Sequence, residues 1–295
     1  MIKDQKRTRA ITEDIRQQRR QAIEQRLWQS KNFSEVKREA PAEPVASRDP
    51  EPAQHHPDRE VVLPKREELI MGLPHLVIVG ADKGGVGKTV VARTVLDYFK
   101  SVGVDARAID TQMPSGNLIR FHKDVTEVID LSSSDGQIKV FDSLPKHAVT
   151  VIDIQAGLLS PTLTLLSEIG LLSMVQDGKM NVTTMQVIGS TVQSLSEIEG
   201  AAKILTGSRH FIVKNHTNDA AFFAGLNVST DALKAGTALI DIAKLDERAT
   251  EYVEAAATSF ADYAKNGDSF VMKGKVGHWL KGVFAQYDTA KLHIA

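Results

Sequence analysis

The apolar run His75-Leu76-Val77-Ile78-Val79 leads straight into Gly80-Ala81-Asp82-Lys83-Gly84-Gly85-Val86-Gly87-Lys88-Thr89, and a helical stretch continues to Lys100. No other part of the chain restricts its fold as tightly. A short β-branched run without polar alternation reads as a strand buried in a parallel sheet. Glycines let backbone N–H groups turn inward around an anion, and the start of the following helix adds positive potential. A loop of this kind at a strand–helix junction suits a polyphosphate, with Lys88 reaching the β- and γ-phosphates and the Thr89 hydroxyl holding Mg²⁺. The stricter glycine pattern wants glycine at position 82, where this chain carries aspartate, and an additional lysine, Lys83, precedes the double glycine. A mobile surface Gly/Lys loop is the bland alternative. The order of strand, loop and helix speaks against it.

Length allows one large α/β domain or two small ones. With 42% hydrophobic and 25% charged residues the chain can bury a core. A net charge of −1 gives the whole molecule no field that would draw in DNA or anionic lipid. The absence of cysteine excludes disulfides, thiolate metal sites and a cysteine nucleophile, and it fits a reducing cytosol. No apolar run approaches the length of a membrane span. The charged N-terminus lacks the apolar core of a secretory signal, so a cytoplasmic location is expected.

Composition divides the chain into a basic helical tail (1–35), a Pro-rich linker (36–70), a nucleotide domain (71–268) and a C-terminal amphipathic helix (269–295). Through Lys31 the tail carries nine Lys/Arg against four Asp/Glu, with a charged helix expected over Thr12–Ser30. A solvated tail, a docking site for a partner protein, and contact with non-specific DNA or anionic lipid all fit that composition. Aromatics are too few to argue for base stacking. Six prolines between Pro41 and Pro64, with almost no large apolar residue, mark the linker as extended. From His75 onward strands and helices alternate, the sign of a doubly wound parallel sheet. Strands are predicted at 75–80, 105–109, 137–141, 148–153, 169–175, 209–214 and 238–242. Helices are predicted at 88–101, 158–168, 182–205, 230–236, 244–265 and 277–287.

The string Lys83-Gly84-Gly85-Val86-Gly87-Lys88-Thr89 resembles the deviant phosphate-binding loop of the ParA/MinD family of dimerising ATPases. The resemblance implies a P-loop NTPase fold, ATP and Mg²⁺ as ligands, and a homodimer in which Lys83 crosses to the partner's nucleotide. A second point of likeness is Ala148-Val149-Thr150-Val151-Ile152-Asp153, an apolar strand closing on an acid for the magnesium shell. A third is Asp110-Thr111-Gln112-Met113-Pro114-Ser115-Gly116-Asn117, similar to the family's Asp-x-Asp-Pro-Gln-Gly-Asn run with one extra residue. Asp110 then takes the first aspartate's place near the metal. The second aspartate, which positions the attacking water in these ATPases, falls on Gln112. A carboxylate accepts a proton, whereas an amide only orients water, so slow hydrolysis is expected. Asn215, at the end of a late strand, takes the place of an adenine-contacting asparagine. The altered motif is similar to plasmid maintenance and conjugal-transfer members, which implies a role in partitioning, positioning or transfer of DNA or a cargo.

The C-terminal segment sets Val276, Leu280, Val283, Phe284 and Tyr287 on one helical face, with Trp279 beside it and Lys273, Lys275 and Lys281 off it. The MinD branch of the family ends in a short basic amphipathic helix that inserts at a membrane surface, so the resemblance implies peripheral membrane contact as one expectation. Packing against the nucleotide domain or the dimer partner is the competing expectation, since three glycines weaken a free helix by about 1 kcal/mol each. Two function classes remain: a nucleotide-switched ATPase, or a non-hydrolysing nucleotide-binding scaffold acting through its N-terminal tail. An amidotransferase-type synthase is disfavoured because nothing resembles a second catalytic domain.

Overall fold

In a computed structural model the described residues are 72–189, 193–205, 207–217 and 237–293. They belong to the second of two units into which the chain divides, Pro64–Ala295; the first, Met1–Leu63, lies outside them. The helices expected at Thr12–Ser30 and at 230–236 therefore fall outside the described residues.

The strand expected after Pro74 is β1 (His75–Gly80), buried along its whole length, and the glycine loop opens α1 (Lys88–Ser101). The chain then runs through β2 (Ala106–Asp110), a 3-10 turn (Leu118–Arg120), β3 (Thr126–Val128), α2 (Ser134–Phe141) and β4 (Val149–Asp153). It continues with α3 (Leu159–Glu168), α4 (Leu171–Gln176), β5 (Asn181–Ile188), α5 (Gln193–Ile204) and β6 (Arg209–Asn215). Last come β7 (Thr237–Ile242), α6 (Glu247–Ala256), α7 (Phe260–Asn266) and α8 (Phe270–Thr289). The strands form one parallel sheet of order β3-β2-β4-β1-β5-β6-β7. This is the doubly wound α/β fold, with β1 at the centre and β4 beside it.

Alternation along the central strands feeds two cores. Val77 and Val79 face a cluster with Val91, Val95 and Phe99 of α1 and with Val276, Leu280 and Tyr287 of α8. Leu76 and Ile78 face the opposite cluster, with Leu163 and Leu166 of α3 and Leu205. Helices thus cover both faces, as a parallel sheet requires.

Four expectations need correcting. Residues 137–141 are helical, because the Ser133 hydroxyl accepts the Gly136 N–H at 3.1 Å and caps α2. Residues 169–175 hold α4, which begins after Gly170 turns left-handed (φ 74°). The strand between β1 and β6 is instead Asn181–Ile188, which overlaps the start of the stretch expected to be one helix over 182–205. Its Thr183, Thr184 and Gln186 are all buried. Polar residues in a strand centre mimic an amphipathic helix until their partners are known. Here Thr183 pairs with His75 at 2.8 Å and Gln186 with His210 at 2.9 Å. The helix expected over 244–265 is broken by Ala257, whose φ of 47° ends α6 before Ser259 caps α7.

The apolar face expected on the last helix is buried: Val276, Trp279, Leu280, Val283 and Tyr287 all lie in the core of the sheet domain. The Tyr287 hydroxyl is bonded to Thr94 of α1 at 2.7 Å, and the Trp279 indole N–H donates to Ala243 O at 2.6 Å. No helix among the described residues is long and apolar enough to cross a membrane.

Candidate functional site

Two neighbouring strands end at the same place. The register pairs Val79 with Asp153, so the loop after β1 and the acid closing β4 lie side by side. A cavity of about 450 Å³ opens there, lined by the loop residues Gly84, Gly85, Gly87, Lys88 and Thr89. Asp110, Gln112, Asn117, Asp153 and Gln155 line it from the adjoining loops. The structure therefore gathers most of the sequence-predicted site residues around one space. Val86 is buried beneath the loop, and Lys83 does not line the cavity.

Local geometry explains the loop's composition. Gly87 has φ 86°, and a Cβ there would come within 2.0 Å of Asn215 Nδ2, so no side chain fits. The Asn215 amide donates to Val86 O at 3.1 Å and Gly87 O at 3.4 Å, tying the end of β6 to the loop. Lys88 Nζ donates to Lys83 O at 3.0 Å, which folds the lysine back over its own loop. Burial lowers the Lys88 pKa, and the charges of Asp153 and Asp82 oppose that shift.

Asp82, the departure from the stricter pattern, has a visible task. Its carboxylate accepts the backbone N–H of Ser160 at 3.1 Å and the Ser160 hydroxyl, at the first turn of α3. A carboxylate at a helix start is favoured by the unpaired N–H groups there. The Asp82 N–H in turn donates to the Glu197 carboxylate on α5, whose pKa is raised chiefly by burial while Lys83 and Lys88 pull it down. Two helices thus hold the loop from outside the cavity.

Asp153 is pushed up to about 7, first by burial and further by Asp110, while the Thr89 hydroxyl donates to it and Lys88 lowers it. Asp110 is committed elsewhere. One oxygen accepts Gln112 N–H at 2.9 Å, and the other accepts Asn117 and Leu118 N–H at 2.6 and 2.7 Å. These bonds shape the 111–118 loop, with Gly116 (φ 64°) leaving room for the carboxylate that a Cβ would meet at 2.7 Å. Gln112 Oε1 accepts Asn117 Nδ2 at 2.6 Å, so an amide pair faces the cavity.

Thr111 and Asn117 were not among the expected residues. The Thr111 hydroxyl donates to Asp153 O at 3.1 Å and accepts Gln155 N–H at 2.7 Å, linking the two loops. Its only sequence signal is a hydroxyl between two residues already singled out.

A second cavity, about 440 Å³, adjoins the first at Val90. Asn215 lines it from the end of β6, His216 and Thr217 from the residues that follow, Ala243 to Leu245 from the loop after β7, and Arg93, Phe260 and Trp279 from the helices. Glu247, Glu251 and Glu254 add carboxylates along α6.

The donor set can be tested against Mg²⁺. Hydroxyl and carboxylate oxygens suit this hard cation, which keeps waters and binds through one or two carboxylates plus phosphates. Thr89 and the buried Asp153 fit that requirement. The described residues contain no group of three or more acids or histidines placed to hold a metal without a phosphate.

No family model matches the chain. Over 81 residues it is 30% identical to Protein MobD of Acidithiobacillus ferrooxidans, a stretch covering 26% of this chain and 36% of that protein. The chain therefore matches about a third of that relative's length. Among solved structures, a nucleotide-binding protein from Archaeoglobus fulgidus in complex with ADP superposes with a TM-score of 0.41 and 17% identity. The superposition covers 59% of this chain and 83% of that one. The α/β fold assignment rests on this chain's own strand order and register.

Proposed function

We propose that this chain binds ATP with Mg²⁺ and acts as a dimerising nucleotide switch of the ParA/MinD type. The observation that carries the proposal is the convergence of Lys88, Thr89 and Asp153 on one cavity at the ends of two adjacent central strands. Lys88 and the loop N–H groups would hold the phosphates. Thr89 and Asp153 would hold Mg²⁺, which when bound neutralises charge on the phosphate oxygens. The nucleoside would extend past Val90 into the second cavity, beside Asn215. Lys83, outside the cavity lining, would serve a partner protomer's nucleotide. A switch of this kind fits partitioning, positioning or transfer of DNA or a cellular cargo.

Calorimetry of Mg-ATP with wild type and Lys88→Ala tests the assignment. Each charge-assisted bond lost is worth about 1.5–3 kcal/mol, so the variant should bind at least tenfold more weakly. Equal affinities would overturn the assignment.

One observation favours the second reading, a non-hydrolysing scaffold: the amide pair Gln112–Asn117 stands where a water-activating carboxylate is expected. Phosphate release from pre-bound ATP separates the two readings.

A further inference from the structure

We propose that Gln155 is a second water-orienting residue beside Gln112, an inference that rests on the nucleotide-binding reading. Gln155 follows Asp153 by two positions. Between them, Ile154 N–H donates to Val79 O at 2.9 Å, so the ladder of β4 runs on past its last strand residue. Ile154 itself turns into the core with Leu76 and Ile78. The strand period of two then sets Gln155 on the side of Asp153, and both line the cavity.

The Gln155 backbone is held at both ends. Its N–H donates to the Thr111 hydroxyl at 2.7 Å, and its carbonyl accepts Leu158 N–H at 3.2 Å. Thr111 is fixed in turn, since its N–H and its hydroxyl both donate to Asp153 O at 3.1 Å. The side chain leaving this anchored backbone is exposed and makes no hydrogen bond among the described residues.

The other polar side chains of the cavity are engaged. Lys88 donates to Lys83 O, Thr89 donates to Asp153, and Gln112 Oε1 accepts Asn117 Nδ2. Asp110 is saturated by three backbone N–H groups, and Asp153 is assigned to the metal shell. Neither lining carboxylate is placed to take a proton from water, so alignment falls to an amide. Gln155 offers an oxygen that accepts a water O–H and an NH₂ that donates to a phosphoryl oxygen. Such an amide suffices to orient the attacking water in small GTPases. In the step it serves, the water oxygen bonds to the γ-phosphorus while the bridging β–γ P–O bond breaks, its electron pair leaving on ADP. One water proton passes to a phosphoryl oxygen, so ATP and water give ADP and dihydrogen phosphate without a protein base.

The test pairs steady-state phosphate release at saturating Mg-ATP with calorimetry of Mg-ATP, on wild type, Gln155→Ala and Gln155→Glu. Gln155→Ala should lower kcat about tenfold and leave ATP affinity within about twofold of wild type. Because the side chain is exposed, the thermal midpoint should not move. A carboxylate at this position titrates, so the ratio of Gln155→Glu to wild-type turnover should rise with pH as the acid ionises. A kcat for Gln155→Ala equal to that of wild type, a loss of turnover matched by an equal loss of ATP affinity, or a ratio flat with pH would overturn the proposal. ATP binding without any phosphate release by wild type would overturn it as well. Failure of wild type to bind ATP, or affinity indifferent to Lys88→Ala, would overturn the nucleotide reading itself.

Discussion

At the scale of single residues, Asp110 and Gln112 show how one exchange redistributes roles. With both oxygens on backbone N–H groups, Asp110 sets the shape of the loop that presents Gln112. Gln112, exposed and bonded to Asn117, can orient a water but cannot take its proton. Wild-type turnover of ATP is therefore expected to be slow. Gln112→Asp should raise it at least tenfold, since general-base help is typically worth about 10²–10⁴-fold. The Asn117 amide is already placed to hold the new carboxylate. Steady-state phosphate release measures this, and unchanged turnover in the variant would remove position 112 from the water's path. Both residues are picked out in the chain by the resemblance of their run to the family's two-aspartate motif. The commitment of Asp110 to three backbone donors does not, because those donors are placed by a loop whose course follows no periodic rule.

At the scale of elements, α8 is the instructive case. Its amphipathic face is legible by period alone, but period does not say what covers it. In the structure the covering partners are α1, α6, α7 and β7, so the helix contributes to the same core as the phosphate-loop strand. Leu280→Ala should then cost about 2–5 kcal/mol, as for a truncated core leucine. Urea unfolding would report that loss, and an unchanged midpoint would mean that α8 detaches without consequence. The buried strand β5 teaches the opposite lesson. Its β-branched threonines favour a strand, yet their polarity hides it from a reading based on hydrophobic pattern. Only the histidines of β1 and β6 across the sheet make Thr183 and Gln186 acceptable in a core.

At the scale of the whole molecule, two outcomes are expected. Light scattering with ATP should show a dimer that Lys83→Ala abolishes while calorimetry still shows bound nucleotide. A variant that dimerises normally would end the cross-subunit role. The second outcome concerns acid stability. Burial holds His75 at about 3 and His122 and His210 at about 4, against 6.5 in the unfolded chain. Between about pH 4 and 6.5 the unfolded chain binds those protons and the folded one does not, so these groups make stability rise with pH. Asp97, pushed up to about 6, and Asp153, pushed up to about 7, act in the other direction, again chiefly through burial. Each keeps a proton in the folded state that the unfolded state loses near 3.8, and the stability this adds is given up as pH rises towards the folded value. Three histidines against two aspartates leave a net rise from pH 4 to about 6 and a levelling above it. Urea midpoints of the nucleotide-free protein at pH 4.5 and 6 check the sign, and a lower midpoint at pH 6 would contradict it.

The sequence by itself determined the parallel α/β class, the central strand, the phosphate-type loop and the acid of the neighbouring strand. Each of these is written in contiguous residues: apolar runs, glycines at the turn and a helix directly after. Tertiary structure alone decided that Asp82 braces α3 and that Asn215 sits on Gly87. It also decided that β5 is a strand and that a second cavity adjoins the loop. Those features are contacts between segments far apart in the chain. A polar side chain acquires its partner, and hence its role, only when the sheet brings the strand ends together.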